Sequence, residues 1–394
     1  MNLSVKNLAI SPSPTLSIDA KFKEMKANGE NVVGFGAGEP DFETPKHIKE
    51  AAIKAIEDGL TRYTPAAGTL ELRKAIAKKL KEDNGLDYEA KNIVVSNGAK
   101  HSLVNALSAI LNPGDEVIIP APFWVSYPEM VKMADGVPQY LYTTEQNGFK
   151  FKAQELEEAI NEKTKAVILN SPSNPTGMVY TREELEKIAD VCVKHNIIVI
   201  ADEIYEKLIY EGEHVSIASI NEKIKDLTIT INGVSKSYAM TGWRIGYAAA
   251  NDEIAKIMSN IQSHAASNPN SIAQAATFAA LTGPQTEVAE MREVFKQRRD
   301  YMVERINSIE GVSCIKPQGA FYIMMNIEKL IGKTIAGVEI TGSDAFAEAF
   351  LKLEKVALVP GKGFGADNYL RWSYATSMEN IKEGLDRLEK FLYL

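Results

Sequence analysis

Five short runs of nearly unbroken apolar residues constrain this chain more than any other feature. They are EVIIP (116–120), AVILN (166–170), IIVIAD (197–202), LTITIN (227–232) and IGYAAA (245–250). A strand with one wet face alternates apolar and polar side chains; a strand covered on both faces does not, so these runs read as buried strands. Helical patterns lie between them. The clearest is TREELEKIADVCVKH (181–195), where Thr181 and Glu184 form a capping-box pattern and Leu185, Ile188, Ala189 and Cys192 mark one face. TLELRKAIAKKLKED (69–83) and HSLVNALSAIL (101–111) also read as helices. Such alternation predicts an α/β fold with a mostly parallel sheet, here over residues 47–285. The remainder reads differently: a long charged helix near 286–308, then GVSCIKPQGAFYIMMNI, a helix over 343–355, VALVPG and YLRWSYA. We expect a smaller α+β domain over 286–394, joined by an N-terminal arm, residues 1–46. With 394 residues, 45% of them hydrophobic, the chain can build more than one core.

Charge narrows the function. The formal net charge is −8, without the basic footprint of a nucleic-acid binder. Cys192 and Cys314 are the two cysteines; they form no CxxC spacing and fit a reducing compartment. No apolar stretch approaches the ~18 residues of a membrane span, and the N-terminus lacks a signal-peptide pattern. A soluble cytoplasmic protein is expected.

In a parallel sheet, ligands bind at the carboxyl ends of the strands, and the polar residues of this chain cluster there. Lys236 and Ser235 follow LTITING; taken alone, Lys236 reads as a solvated surface lysine. Arg244, eight residues on, changes that balance, because an amine, a hydroxyl and a cation in an apolar frame suit an anionic cofactor that is also an aldehyde. SNGAKHS (96–102) places Gly98 and Ala99 where a helix begins, and free N–H groups there favour phosphate. Asp202 closes IIVIAD, with Tyr205 one turn on. A Mg²⁺-binding carboxylate beside a nucleotide loop is the rival reading of Asp202, but no GxxxxGK[ST] loop exists, and neither a dinucleotide fingerprint nor HExxH is present. Asp202 is better read as the partner of a cationic ring nitrogen. Asn174 lies in a proline-rich turn, NSPSNPTG. Trp124 could pack in the core or stack on a flat ligand. Arg371, mid-strand in YLRWSYAT, needs a partner: a structural ion pair, or the carboxylate of a ligand. One molecule uses all of these groups, pyridoxal 5′-phosphate.

SKSYAMTGWRIGY with NSPSNPTG, ADEIYEKL, YTPAAGTLELR and LRWSYA, in this order, resembles a class I aminotransferase of the fold-type-I pyridoxal-phosphate superfamily, nearest the bacterial-type aspartate aminotransferase subgroup. The resemblance runs from GAGEPDFETP to YATSMENI. It implies a large cofactor-binding domain with a mostly parallel seven-stranded sheet and a smaller α+β C-terminal domain. It implies that Lys236 holds the cofactor covalently and shuttles a proton, that Asp202 pairs with the pyridine nitrogen, and that Tyr205 and Asn174 bond the ring 3′-oxygen. Gly98, Ala99, Lys100, Ser235 and Arg244 would surround the phosphate, and Trp124 would stack on the ring. Arg371 would clamp the substrate α-carboxylate, aided by Asn174 and the Gly38 backbone. Tyr63 would reach the phosphate of a neighbouring subunit, which implies a homodimer with shared active sites. The second substrate arginine of the animal and enteric enzymes has no counterpart here; Ser13, Thr15 and Lys100 are the candidates for meeting a side-chain carboxylate. The expected reaction moves the amino group of L-aspartate to 2-oxoglutarate by ping-pong turnover, with aromatic, alanine or prephenate amino transfer as alternatives and a β-lyase or racemase further off. No metal is expected, and a cofactor-sensing regulator would need a DNA-binding module that the first 46 residues do not supply.

Overall fold

The computed structural model describes residues 3–393. Seven strands form the main sheet: β1 (Ile93–Ser96), β2 (Glu116–Ala121), β3 (Val137–Tyr142), β4 (Thr164–Asn170), β5 (Ile198–Asp202), β6 (Thr228–Gly233) and β7 (Gly246–Ala249). Their order across the sheet is β1-β7-β6-β5-β4-β2-β3. All neighbours are parallel except at β7, which runs antiparallel to both β6 and β1.

All five apolar runs of the sequence are strands, and the reason is visible in the packing. Successive residues of one strand enter different cores. Val117 and Ile119 of β2, Ile168 of β4 and Ile200 of β5 pack with Leu103, Leu107 and Met130. Ile118, Val167 and Val199 pack instead with Leu156, Leu185, Ile188 and Cys192. Both faces are dry, so no polar alternation survives. Helices cover them, among them Leu70–Asn84, Ala99–Ile110 and Arg182–His195. The last of these begins with the capping box read from the sequence: Thr181 accepts from the Glu184 N–H, and the Glu184 carboxylate accepts from the Thr181 N–H. Both cysteines are free and buried. Among the described residues no helix is long and apolar enough to cross a membrane.

The C-terminal part holds an antiparallel sheet of Val359–Pro360, Tyr369–Ser373 and Tyr322–Asn326. Helices Thr286–Ser308, Ser343–Glu354 and Met378–Leu392 surround it. Val33–Gly34 pairs in parallel with Val356–Ala357, which ties the N-terminal segment to this part. One core joins the two regions: Ile204, Tyr205 and Leu208, just past β5, pack with Phe295, Phe321 and Trp372.

Candidate active site

Four strands of the main sheet deliver polar residues to one edge. β4 ends at Asn170 and leads to Asn174, and β5 ends at Asp202 with Tyr205 beyond it. β6 ends at Gly233, just before Ser235 and Lys236. β1 ends at Ser96, and the helix starting at Ala99 follows. Because β7 runs back towards β6, the segment between them stays at this edge and brings Arg244 beside Lys236. Arg371 and Tyr322 enter from the C-terminal sheet.

These groups line one cavity of ≈ 260 Å³. Of the residues singled out in the sequence, Gly38, Ala99, Lys100, Trp124, Asn174, Asp202, Tyr205, Ser235, Lys236, Arg244 and Arg371 face it, and so does Thr15. Gly98 stands behind Arg244: its φ is +85°, and a Cβ there would strike the Arg244 guanidinium. Ser13 lines the adjoining groove, next to Lys100. Tyr63 is 91% exposed and lies outside this chain's cavity.

Lys236 reaches the cavity with its amine against the Gly38 carbonyl. Burial pushes its pKa down to about 8, helped by the Arg244 and Arg371 cations and opposed by Glu39 and Asp202. Asp202 behaves conversely. Burial pushes its carboxyl up to about 6, while hydrogen bonds from the Tyr127 hydroxyl, at 2.7 Å, and the Ile204 N–H hold it down. Asn170 braces the same stretch: its amide donates to the Asp202 carbonyl at 2.9 Å and its oxygen accepts from the Asn174 N–H at 2.7 Å.

Arg371 answers the question its sequence posed. It is 1% exposed, yet no carboxylate among the described residues pairs with it. Its guanidinium donates to Asn174 Oδ1 and to the Gly36 carbonyl, both at 3.0 Å, and lies over the Tyr322 ring, 4.4 Å from its centre. Its Nε has no partner. A buried cation left without a counter-charge is costly, so this one is placed for an anion from outside.

Tyr127 and Tyr322 were not singled out in the sequence. Tyr127 sits three residues after Trp124, at the start of helix Ser126–Met133, and that spacing was the available hint. Tyr322, whose hydroxyl lies 2.9 Å from that of Tyr205, carries no local signal at all.

The residues fit pyridoxal 5′-phosphate. The amino end of helix Ala99–Ile110 offers unpaired N–H groups beside the Ser235 hydroxyl and Arg244, a seat for a phosphate. Arg244 is held there by donating to the carbonyls of Thr241 and Asn97. It adopts a left-handed φ of 57°, uncommon for a residue with a side chain. Asp202, buried and acceptor-rich, waits for a cationic donor, and Lys236 supplies the amine.

The family profile described as "Aminotransferase class I and II" matches residues 30–388. The chain belongs to the class I and II aminotransferases. It is a pyridoxal-phosphate-dependent aminotransferase acting on amino acids and 2-oxo acids, with the fold-type-I architecture. Aspartate aminotransferase from Geobacillus stearothermophilus is 50% identical over 393 residues, covering 100% of this chain and 99% of the relative. Aspartate/prephenate aminotransferase from Nitrosomonas europaea is 44% identical, with 100% of each chain covered. Among solved structures, aspartate aminotransferase from Thermus thermophilus with maleate superposes with a TM-score of 0.95 at 42% identity, covering 100% of both chains.

Proposed function

We propose that this aminotransferase moves the amino group of L-aspartate to 2-oxoglutarate. The observation that carries the site assignment is Arg371: a buried guanidinium with no internal carboxylate, in the same cavity as the Lys236 amine. Named aspartate aminotransferases among the relatives support the amino donor. A second reading, prephenate as acceptor, is supported by relatives that carry both names.

When bound, pyridoxal 5′-phosphate supplies an electron-withdrawing ring that stabilises negative charge at the substrate Cα. The protein residues do the rest. Arg371, with Asn174 beside it, clamps the α-carboxylate in a bidentate grip and so fixes where the Cα–H points. Lys236, with a pKa brought to about 8 by burial, offers a substantial neutral fraction near pH 7–8 and takes and returns the Cα proton. Asp202 would ionise against a cationic ring nitrogen and hold the proton there; Tyr127 keeps that carboxylate oriented. Tyr205 and the amide N–H of Asn174 would bond the ring oxygen, and Trp124 would pack on the ring face. Ala99, the Lys100 N–H, Ser235 and Arg244 would hold the phosphate, with Gly98 leaving room for the Arg244 guanidinium. Thr15, whose buried hydroxyl has no partner, is the best placed of the candidates for a side-chain carboxylate, with Lys100 next.

The working protein is a cytoplasmic homodimer in this reading, with Tyr63 serving the neighbouring subunit's phosphate. The exposed apolar residues Ile53, Ile56, Leu60 and Leu70, which flank Tyr63 in the chain, support such an interface. In this reading 47–285 would be the cofactor domain and 286–394 the small domain, with 1–46 an N-terminal arm that contributes part of it.

Borohydride reduction of the holoenzyme should fix the cofactor to one peptide, the one containing Lys236. Label on another lysine refutes the assignment. Arg371→Ala should leave cofactor absorbance intact while weakening binding of both amino and 2-oxo acids at least tenfold; unchanged affinity removes Arg371 from the site. Scanning amino donors by the change in cofactor absorbance decides between aspartate and the alternatives.

A further inference from the structure

Behind the cavity lies a buried ionic cluster that the reaction above does not use. Glu203 and Glu206 bracket Tyr205 in the turn after β5 and are 3% and 8% exposed. Lys79 and Asn84, from helix Leu70–Asn84, are each 8% exposed. Lys79 donates to Glu206 and, at 2.7 Å, to Asn84 Oδ1. The Asn84 amide donates to Glu206 Oε2 at 2.7 Å, with Glu203 Oε2 at 3.5 Å. His214 Nε2 lies 3.0 Å from Glu203 Oε2 and 3.9 Å from Glu206 Oε2.

Three carboxylates, Glu203, Glu206 and Asp83, stand with two lysines, Lys79 and Lys207. The cluster is neutral only when His214 carries its proton. The charged groups around the imidazole are Glu203 and Glu206 from the turn and Lys79 from the helix, with the Asp83–Lys207 pair at 2.7 Å on the rim. The phenols of Tyr88, Tyr238 and Tyr247 border the carboxylates; burial is the main cause that holds each of them neutral. Burial alone would strip the imidazole of its proton, but Glu203 and Glu206 outweigh it and raise its pKa.

We propose that Glu203, Glu206, His214, Lys79 and Asn84 form a charge-balanced positioning network for Asp202 and Tyr205. The network grips the turn from the side away from the cavity, and the proton on His214 sets the net charge felt at Asp202. Glu203 is adjacent to Asp202 in the chain, and its charge raises the Asp202 pKa. This inference rests on the reading of Asp202 as the partner of the ring nitrogen.

The test is a pH titration of the visible absorbance of substrate-free holoenzyme, paired with thermal melts. His214→Gln removes a cation and leaves an excess negative charge beside Asp202, so the spectral midpoint should rise by about half a unit. Glu203→Gln should lower it by a similar amount, and the double variant should return towards wild type. The melts carry a second signature. A raised histidine pKa gives stability that is full below the unfolded value of about 6.5 and is lost as pH climbs through the folded value. His214→Gln should lack that alkaline loss. A cluster that merely braces the fold would lower the melting temperature in both variants and leave both midpoints where they were, which overturns the proposal. If His214→Gln does not fold, the downward shift in Glu203→Gln alone decides. A wild-type protein that binds no cofactor would instead defeat the reading of the site, an outcome separate from either.

Discussion

Asp202, which we propose faces the ring nitrogen, would serve the reaction at the expense of the fold. Its pKa, about 6, is raised mainly by burial from an ordinary value of 3.8. Stability tied to such a carboxyl is present below pH 4 and lost as pH rises through 6, so in cofactor-free protein at neutral pH its ionisation costs on the order of 3 kcal/mol. Asp202→Asn should therefore raise the melting temperature of the cofactor-free protein at pH 7–8, and the gain should vanish near pH 4. The same change should weaken cofactor binding at least tenfold, read by fluorescence titration. A melting temperature that does not respond to pH would refute this account. The residues legible in the sequence were those at strand ends, where a charge after an apolar run is conspicuous, Lys236 and Asp202, with Arg244 legible from its spacing to Lys236. Tyr127 and Tyr322 were not legible, because a phenol inside a helix or strand pattern looks like core until its hydroxyl is seen to touch Asp202 or Tyr205.

Elements were read as well as their burial allowed. β2, β4, β5, β6 and β7 announced themselves because both of their faces are dry. β3 did not: it is one of the two edge strands, with Val137, Tyr140 and Tyr142 at least 40% exposed, and its sequence VPQYLY mixes apolar and polar residues. β1, IVVS at the opposite edge, was not singled out either, although it is buried throughout and no shorter than β7. Helix Arg182–His195 was the surest, since its capping box is a local device written in two residues. Thr181→Ala should lower stability by about 1 kcal/mol, measured by denaturant unfolding, with turnover unaffected; no loss would mean the cap contributes nothing beyond solvent.

At the scale of the molecule, the sequence showed a parallel sheet followed by something different, but not how the two meet. They meet at the site: Arg371 comes from the C-terminal sheet and its bonds reach Asn174 and Gly36. A pairing between residues 197 positions apart leaves no trace in local pattern. The subunit arrangement can be tested by mixing. Tyr63→Ala and Lys236→Ala proteins, each poorly active, should regain activity when dissociated and reassembled together, because one site of each mixed dimer escapes both lesions. No recovery would place Tyr63 in service of its own chain or of none.

The reversed direction of β7 has a consequence for what the Lys–x₇–Arg spacing means. Were β7 parallel to β6, the chain would have to cross the sheet before entering it, and the two cations would stand at opposite edges. As it is, a single antiparallel connection, residues 234–245, carries both, and the seven intervening residues act as a ruler between an amine and a guanidinium. Lengthening that ruler by even one residue would set the two ends of a bound cofactor against each other while leaving every strand in place.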